Sequence, residues 1–196
     1  MLGDHLRREA RGAASSHALR MVFPMTHFGR VRKHAKEKGL DEVLMLSLIK
    51  QESAFFKEAI SSSGALGLMQ LMPFTAIDMD PKVKQSSVID VDTNLALGTK
   101  YFKRVKERFL GNVALSLAAY NAGPHRVRQW VGLLDSEASL LEFVELIPFR
   151  ETRGYVSGIM RNYFWYYRKV HGKRLDNFDS FFENIELLRD KWPKET

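Results

Sequence analysis

The segment LSLIKQESAFFKEAISSSGALGLMQLMPFTA, residues 46–76, constrains this chain more than any other part of it. Leu44, Met45, Leu48, Ile49 and Glu52 recur at the three- and four-residue spacing of an inward helical stripe. A carboxylate on that stripe points where leucines point. Desolvation disfavours its charged form and lifts its pKa above the ordinary value of about 4.3, which keeps a proton available near neutral pH. A glutamate at a helix end can instead turn to water or pair with a base, and spacing alone leaves both uses open. The Ser/Gly-rich stretch 59–67 reads as a loop and 68–71 as a short turn. Pro73 then opens another short helix, because its fixed φ suits a first helical position.

Strand signals are nearly absent along the rest of the chain, since apolar residues recur at three and four rather than two. The fold class expected is all-α. A helix over 26–38 ends at Gly39, and a second runs over 42–56 behind an Asp41 cap. Asp92 caps a helix reaching 109, Asn112 caps another to 120, and Pro124 opens a short one through 130. The segment 148–171 carries Tyr155, Val156, Ile159, Met160 and Tyr163 on one side, and 178–189 reads as an apolar-rich terminal helix.

A chain of 196 residues suits a single core that buries roughly 70% of its unfolded surface. The polar, weakly patterned residues 1–22 read as an N-terminal extension or linker, and 23–196 as one domain. With no cysteine, neither a disulfide nor a thiolate zinc site is available. The six histidines are scattered and form no H-E-x-x-H motif, so no metal and no organic cofactor is expected. No stretch approaches about 18 apolar residues, and the first residues lack the apolar core of a signal peptide, so no transmembrane segment is expected.

The net charge of +7 draws the protein toward anionic partners: nucleic acid, acidic lipid or a carboxylate-rich bacterial wall. The basic clusters Arg30, Arg32, Lys33, Lys36, Lys38 and Lys100, Lys103, Arg104, Lys106, Arg108 have helical spacing and read as solvated faces. No nucleic-acid-binding motif accompanies them, and no nucleic-acid partner is expected.

Four strings occur in order: ES-x-F at Glu52, S-x-x-GA-x-GLMQ-x-MP-x-TA from Ser61, AYNAG-x-x-RV-x-x-W from Ala119, and FVE-x-IP-x-x-ETR-x-YV from Phe143. Together they resemble the catalytic domain of the soluble lytic transglycosylases over about residues 23–170. The resemblance implies a lysozyme-like helical domain with a substrate groove. It also implies peptidoglycan glycan strands as substrate, a periplasmic or cell-envelope location, and membership of a larger chain or wall-remodelling assembly. The reaction implied is cleavage of the MurNAc–GlcNAc β-1,4 bond with formation of a 1,6-anhydroMurNAc end.

Carried over by motif, Glu52 is the catalytic acid and then the base. The resemblance makes Tyr120 the hydroxyl that orients Glu52, and Asn121 the support beside it. Ser61 and Gln70 line the cleft and Met72 forms an apolar wall. Glu145 hydrogen-bonds substrate, and Arg153 and Tyr155 buttress the groove. Glu58 belongs to no motif position and reads as surface. Two departures bear on the rim: ESAFF stands where relatives commonly have an aromatic followed by Asn-Pro, and His125 replaces a frequent glycine. A wall-binding module without turnover and a hydrolytic muramidase remain the competing classes.

Overall fold

The computed structural model describes residues 19, 21–132, 144–145 and 147–181. Among the described residues, the helices whose full span is described are α1 (Phe28–Glu37), α2 (Glu42–Ser53), α3 (Pro73–Met79), α4 (Val91–Arg108), α5 (Val113–Ala122), α6 (Pro124–Gly132) and α7 (Arg150–His171). Short 3-10 turns lie at Gln85–Ser87 and Asp179–Phe181. Among the described residues the only sheet-like pairing is two isolated bridges, Ile60–Leu66 and Leu66–Leu71, so the chain is all-α as expected. The expected extension 1–22 lies outside the described residues apart from 19, 21 and 22, and so does the expected terminal helix beyond 181.

α2 departs from the single inward stripe. Every residue from Val43 to Ile49 is buried, Ser47 included, so the helix is covered on all sides. α1 and α7 supply the cover, α5 packs on α7, and α4 packs on α1, α3 and α5. Each fully buried Leu or Ile contributes roughly 1.5–3 kcal/mol, so this central helix anchors the fold. Its polar chemistry is left to its ends. At the start, Asp41 accepts from the N–H groups of Val43 at 2.7 Å and Leu44 at 3.3 Å, a cap that contributes about 1 kcal/mol. Tyr163 of α7 donates to the same carboxylate at 2.6 Å. Tyr155, two turns earlier on α7, reaches Glu52 at the other end of α2, so the two helices run antiparallel.

α2 stops at Ser53 rather than at 56. Ala54 and Phe55 both adopt left-handed backbone, with φ of 49° and 68°, at a cost of about 1–2 kcal/mol per residue. Burial of the Phe55 ring, edge-on to Tyr166 at 6.2 Å, offsets that cost, while Phe56 stays exposed. The cap of α4 is also corrected. Asp90, extended at φ −62° and ψ 138°, accepts from the N–H groups of Asp92 and Thr93. Asp92, already inside the helix, faces Arg30 and His34 instead, each at 3.4 Å.

Several residues of the basic clusters form exposed ion pairs, Arg32 with Glu42, Lys103 with Glu107 and Arg104 with Asp78. Glu58 is likewise exposed, beside Lys57. Among the described residues, no helix is long and apolar enough to cross a membrane.

Candidate active site

Glu52 sits in the last turn of α2, partly accessible but surrounded by protein. The Tyr155 hydroxyl donates to its Oε1 at 2.5 Å, the short length of a bond to a carboxylate. Burial raises the Glu52 pKa from 4.5 to about 7, and the Tyr155 hydrogen bond opposes the shift only in part. The group is therefore about half protonated at neutral pH and can release and recover its proton there. Tyr155 and Tyr120 are both pushed well above the ordinary phenol value, first by burial and then by the Glu52 charge. Both hydroxyls consequently stay protonated as donors.

The expected partner of Glu52 is corrected. Tyr120 gives its one hydroxyl proton to the Met69 carbonyl at 2.8 Å, so the donor to Glu52 is Tyr155. The Tyr120 ring packs on Tyr101 and Phe102, with centroids 5.3 and 5.9 Å away. That packing aims the phenol at the GLMQ loop, near enough to Glu52 for the carboxylate charge to add to the rise in the Tyr120 pKa.

The loop after α2 is held by side chains reaching backbone. Ser53 Oγ, next to the acid, donates to the Leu68 carbonyl at 2.9 Å and so ties the end of α2 to the loop. Ser61 Oγ accepts from the Ala65 N–H at 2.9 Å. Gln70 Nε2 donates to the Ala59 and Gly67 carbonyls at 3.1 and 2.9 Å, and Gln70 itself has a φ of 46°. Ser61 and Gln70 thus shape the loop with the polar groups expected to line a cleft. Met72 is partly exposed at the start of α3.

Asn94 of α4 was missed in the sequence. Fully buried, it accepts from the Met69 N–H at 2.8 Å and donates to the carbonyls of Leu66 and Val88 at 2.8 and 2.9 Å. A Cβ on Gly67 would come within 2.6 Å of Asn94 Nδ2, so a glycine there lets the loop close on this amide. A lone amide between Val91 and Leu95 on an apolar helix face was the available signal.

On the other flank, Thr152 Oγ1 of α7 donates to Asn121 Oδ1 at 2.7 Å, joining the AYNAG string to the ETR string. Arg153 donates to the Ile147 carbonyl at 3.0 Å and holds the segment that follows Glu145. Glu145 is exposed, with no hydrogen bond to Glu52, Tyr120 or Tyr155. The structure therefore brings together Glu52, Tyr155, Tyr120 and the Gln70 loop. Among the described residues, no group of three or more His, Asp or Glu side chains is placed to hold a metal ion.

Residues 30–140 match the family described as the transglycosylase SLT domain, more than half of the chain. This protein belongs to that family. The soluble lytic murein transglycosylase of Escherichia coli K12 is 37% identical over 161 residues, covering 78% of this chain and 24% of the relative. This SLT chain thus spans about a quarter of the length of the first curated relatives it matches. Among solved structures, an inactive Glu-to-Gln variant of the lytic transglycosylase Slt from Pseudomonas aeruginosa matches with a TM-score of 0.74 at 37% identity. That match covers 82% of this chain and 28% of the other. The 70 kDa soluble lytic transglycosylase of E. coli matches with a TM-score of 0.75 at 33% identity, covering 86% of this chain and 27% of that one. This SLT domain shares their lysozyme-like helical fold.

Proposed function

We propose that this SLT domain cleaves the β-1,4 bond between N-acetylmuramic acid and N-acetylglucosamine in peptidoglycan and leaves a 1,6-anhydromuramyl end. The observation that carries this reading is Glu52, a single carboxyl raised to about 7 and oriented by one tyrosine hydroxyl. Protonated Glu52 gives its proton to the glycosidic oxygen as the bond from the muramyl C1 breaks, and the N-acetylglucosamine part leaves as an alcohol. The muramyl 2-acetamido group supports the positive charge at C1. Glu52, now a carboxylate, takes the proton of the muramyl 6-hydroxyl as that oxygen closes on C1. No water is consumed, and the acid is regenerated.

Ordinary retaining glycosidases place a second carboxyl only about 5–5.5 Å from the first, where its charge would raise the pKa of the acid. The Glu52 shift has burial as its raising cause and no carboxylate among its contributors, which favours a substrate-assisted path. The names of the relatives, lytic murein transglycosylases, support the same activity, and the inactive Slt variant supports dependence on one glutamate. In this reading Ser61, Gln70 and Met72 form the cleft wall, Tyr120 and Asn121 hold that wall in place, and Glu145 binds a more distant sugar. Wall glycan as substrate places the domain in the cell envelope.

Purified peptidoglycan should release 1,6-anhydromuropeptides, each lighter by one water than the reducing-end product in a mass spectrum. Glu52→Gln should abolish release and keep wall binding, because the amide keeps the shape and cannot transfer the proton. Activity should survive exhaustive chelation. Mostly reducing-end products would move the assignment to a hydrolytic muramidase, and undiminished turnover by the glutamine variant would overturn it.

A further inference from the structure

The second half of α7 carries a basic stripe at the end of the helix away from Glu52. No acidic residue occurs between Glu151 and Asp176, an interval that holds Arg161, Arg168, Lys169, Lys173 and Arg174. Arg161, Trp165 and Arg168 are spaced by four and three, so they share one face of the helix, and both arginines are exposed. Bases of α1 and α4 meet Asp92, Glu42, Glu107 and Asp78. By contrast, none of Arg161, Arg168, Lys173 and Arg174 pairs with a carboxylate among the described residues. The helix dipole suits the bases of the last turn, but Arg161, Lys173 and Arg174 lie outside that turn.

Beside this stripe the structure fixes two exposed apolar side chains. Met21 is 72% exposed and Val22 53%. The residues that follow them are clamped to α7. Lys169 Nζ donates to the Phe23 carbonyl at 2.5 Å, and the Tyr166 hydroxyl donates to the Pro24 carbonyl at 2.9 Å. The Phe23 ring is buried against Trp165 and Tyr166, with centroids 5.9 and 5.4 Å away. Trp165 is itself only partly buried and meets Phe164 edge-on at 5.4 Å. Met21 and Val22 are thereby held next to the basic stripe.

A soluble polyanion calls only for the charges. Exposed methionine and valine beside a tryptophan and a row of bases suit a boundary between water and hydrocarbon. There the apolar groups enter the acyl edge, the indole sits at headgroup depth and the guanidiniums meet phosphates. We propose that this face of α7, with Met21 and Val22, docks the domain on the surface of an anionic lipid bilayer. The net charge of +7 acts in the same direction. The contact is peripheral, since no described helix is long and apolar enough to cross the bilayer. At about 1.5 Å per residue, Tyr155 and the Glu52 bonded to it lie about 20 Å along α7 from Arg168, clear of the lipid. Docking does not depend on what the Glu52 site cleaves.

Cosedimentation of the 196-residue protein with vesicles at about 0.1 M salt tests the contact. Vesicles of phosphatidylcholine with about 30% phosphatidylglycerol should bind it about tenfold or more tighter than vesicles of phosphatidylcholine alone. Arg168→Gln, Lys173→Gln and Arg174→Gln together should weaken that binding about a hundredfold, from about fivefold per base near an anionic surface. Met21→Ser with Val22→Ser should weaken it about tenfold, by the same factor at low and high salt. All five side chains are exposed, so the thermal unfolding midpoints should not move. Lys33→Gln, Lys36→Gln and Lys103→Gln remove as much charge from other exposed positions and should cost far less. An equal loss from that set would mean attraction by net charge alone and would overturn the docking face. Equal binding to the two vesicle types, or serine variants that bind as tightly as the unsubstituted protein, would overturn it as well. So would tighter binding to a DNA duplex than to the anionic vesicles at the same salt, which would assign the stripe to nucleic acid.

Discussion

Glu52→Gln removes a charge that the fold holds away from water, so the variant should be the more stable protein at alkaline pH. The Glu52 carboxyl moves from 4.5 to about 7 on folding, roughly 2.5 units, which at about 1.36 kcal/mol per unit amounts to about 3 kcal/mol. Because the native pKa is the higher one, the native state holds more protons than the unfolded state between pH 4.5 and about 7. The stability of the unsubstituted protein therefore falls as pH rises through that window, and the loss is complete above it. Partial exposure of Glu52 screens the charge and makes about 3 kcal/mol an upper figure. Glutamine has no proton to lose and still offers an oxygen to Tyr155, so it lacks the decline. Urea unfolding of both proteins from about pH 4 to about pH 9 should give a difference near zero at the acid end. At the alkaline end the difference should reach up to about 3 kcal/mol in favour of the variant, or about 6–12 °C in Tm. Parallel stability curves across the range would refute the claim that burial of the Glu52 charge sets its pKa.

The kcat/KM for wall glycan should be level below neutrality and fall about tenfold per pH unit above about 7, following loss of the Glu52 proton; a profile still rising past that point would contradict the acid role. Tyr155→Phe removes the donor that lowers the Glu52 pKa, so this alkaline limb should move to higher pH while kcat drops about tenfold from lost orientation, and a limb that stays in place would count against Tyr155 as the positioning hydroxyl. Tyr120→Phe should act on stability instead, costing about 1–3 kcal/mol by leaving the Met69 carbonyl unpaired, with the alkaline limb unmoved. Gly67→Ala places a methyl against Asn94 at a φ of 74°, and thermal unfolding should show a loss of about 2 kcal/mol or more; a neutral outcome would mean that the loop need not close on Asn94.

Local chemistry along the chain was enough to place most of the helices. Asp41 and Asn112 cap α2 and α5 through bonds to N–H groups only two or three residues away, and Pro73 and Pro124 open α3 and α6 by their own ring geometry. Each of these effects acts within a turn of backbone, so the order of residues contains it. Glu52 at the end of the apolar run was legible for the same reason. What surrounds that carboxyl was decided by packing. Tyr155 lies 103 residues from Glu52, and Asn94 lies 25 from Met69, and neither pairing has a local signature. Two tyrosines were available to donate to the acid, and the antiparallel course of α7 along α2 gave the bond to Tyr155, while Tyr101 and Phe102 turned Tyr120 to the GLMQ loop. The departure at ESAFF shows the same division. The sequence marks an altered helix end, but the left-handed backbone at Ala54 and Phe55 persists because the Phe55 ring is buried against Tyr166, a neighbour supplied by the tertiary structure. Periodicity and capping are properties of a helix by itself, whereas the direction in which a hydroxyl points and the amount of water left around a carboxyl depend on which helices meet.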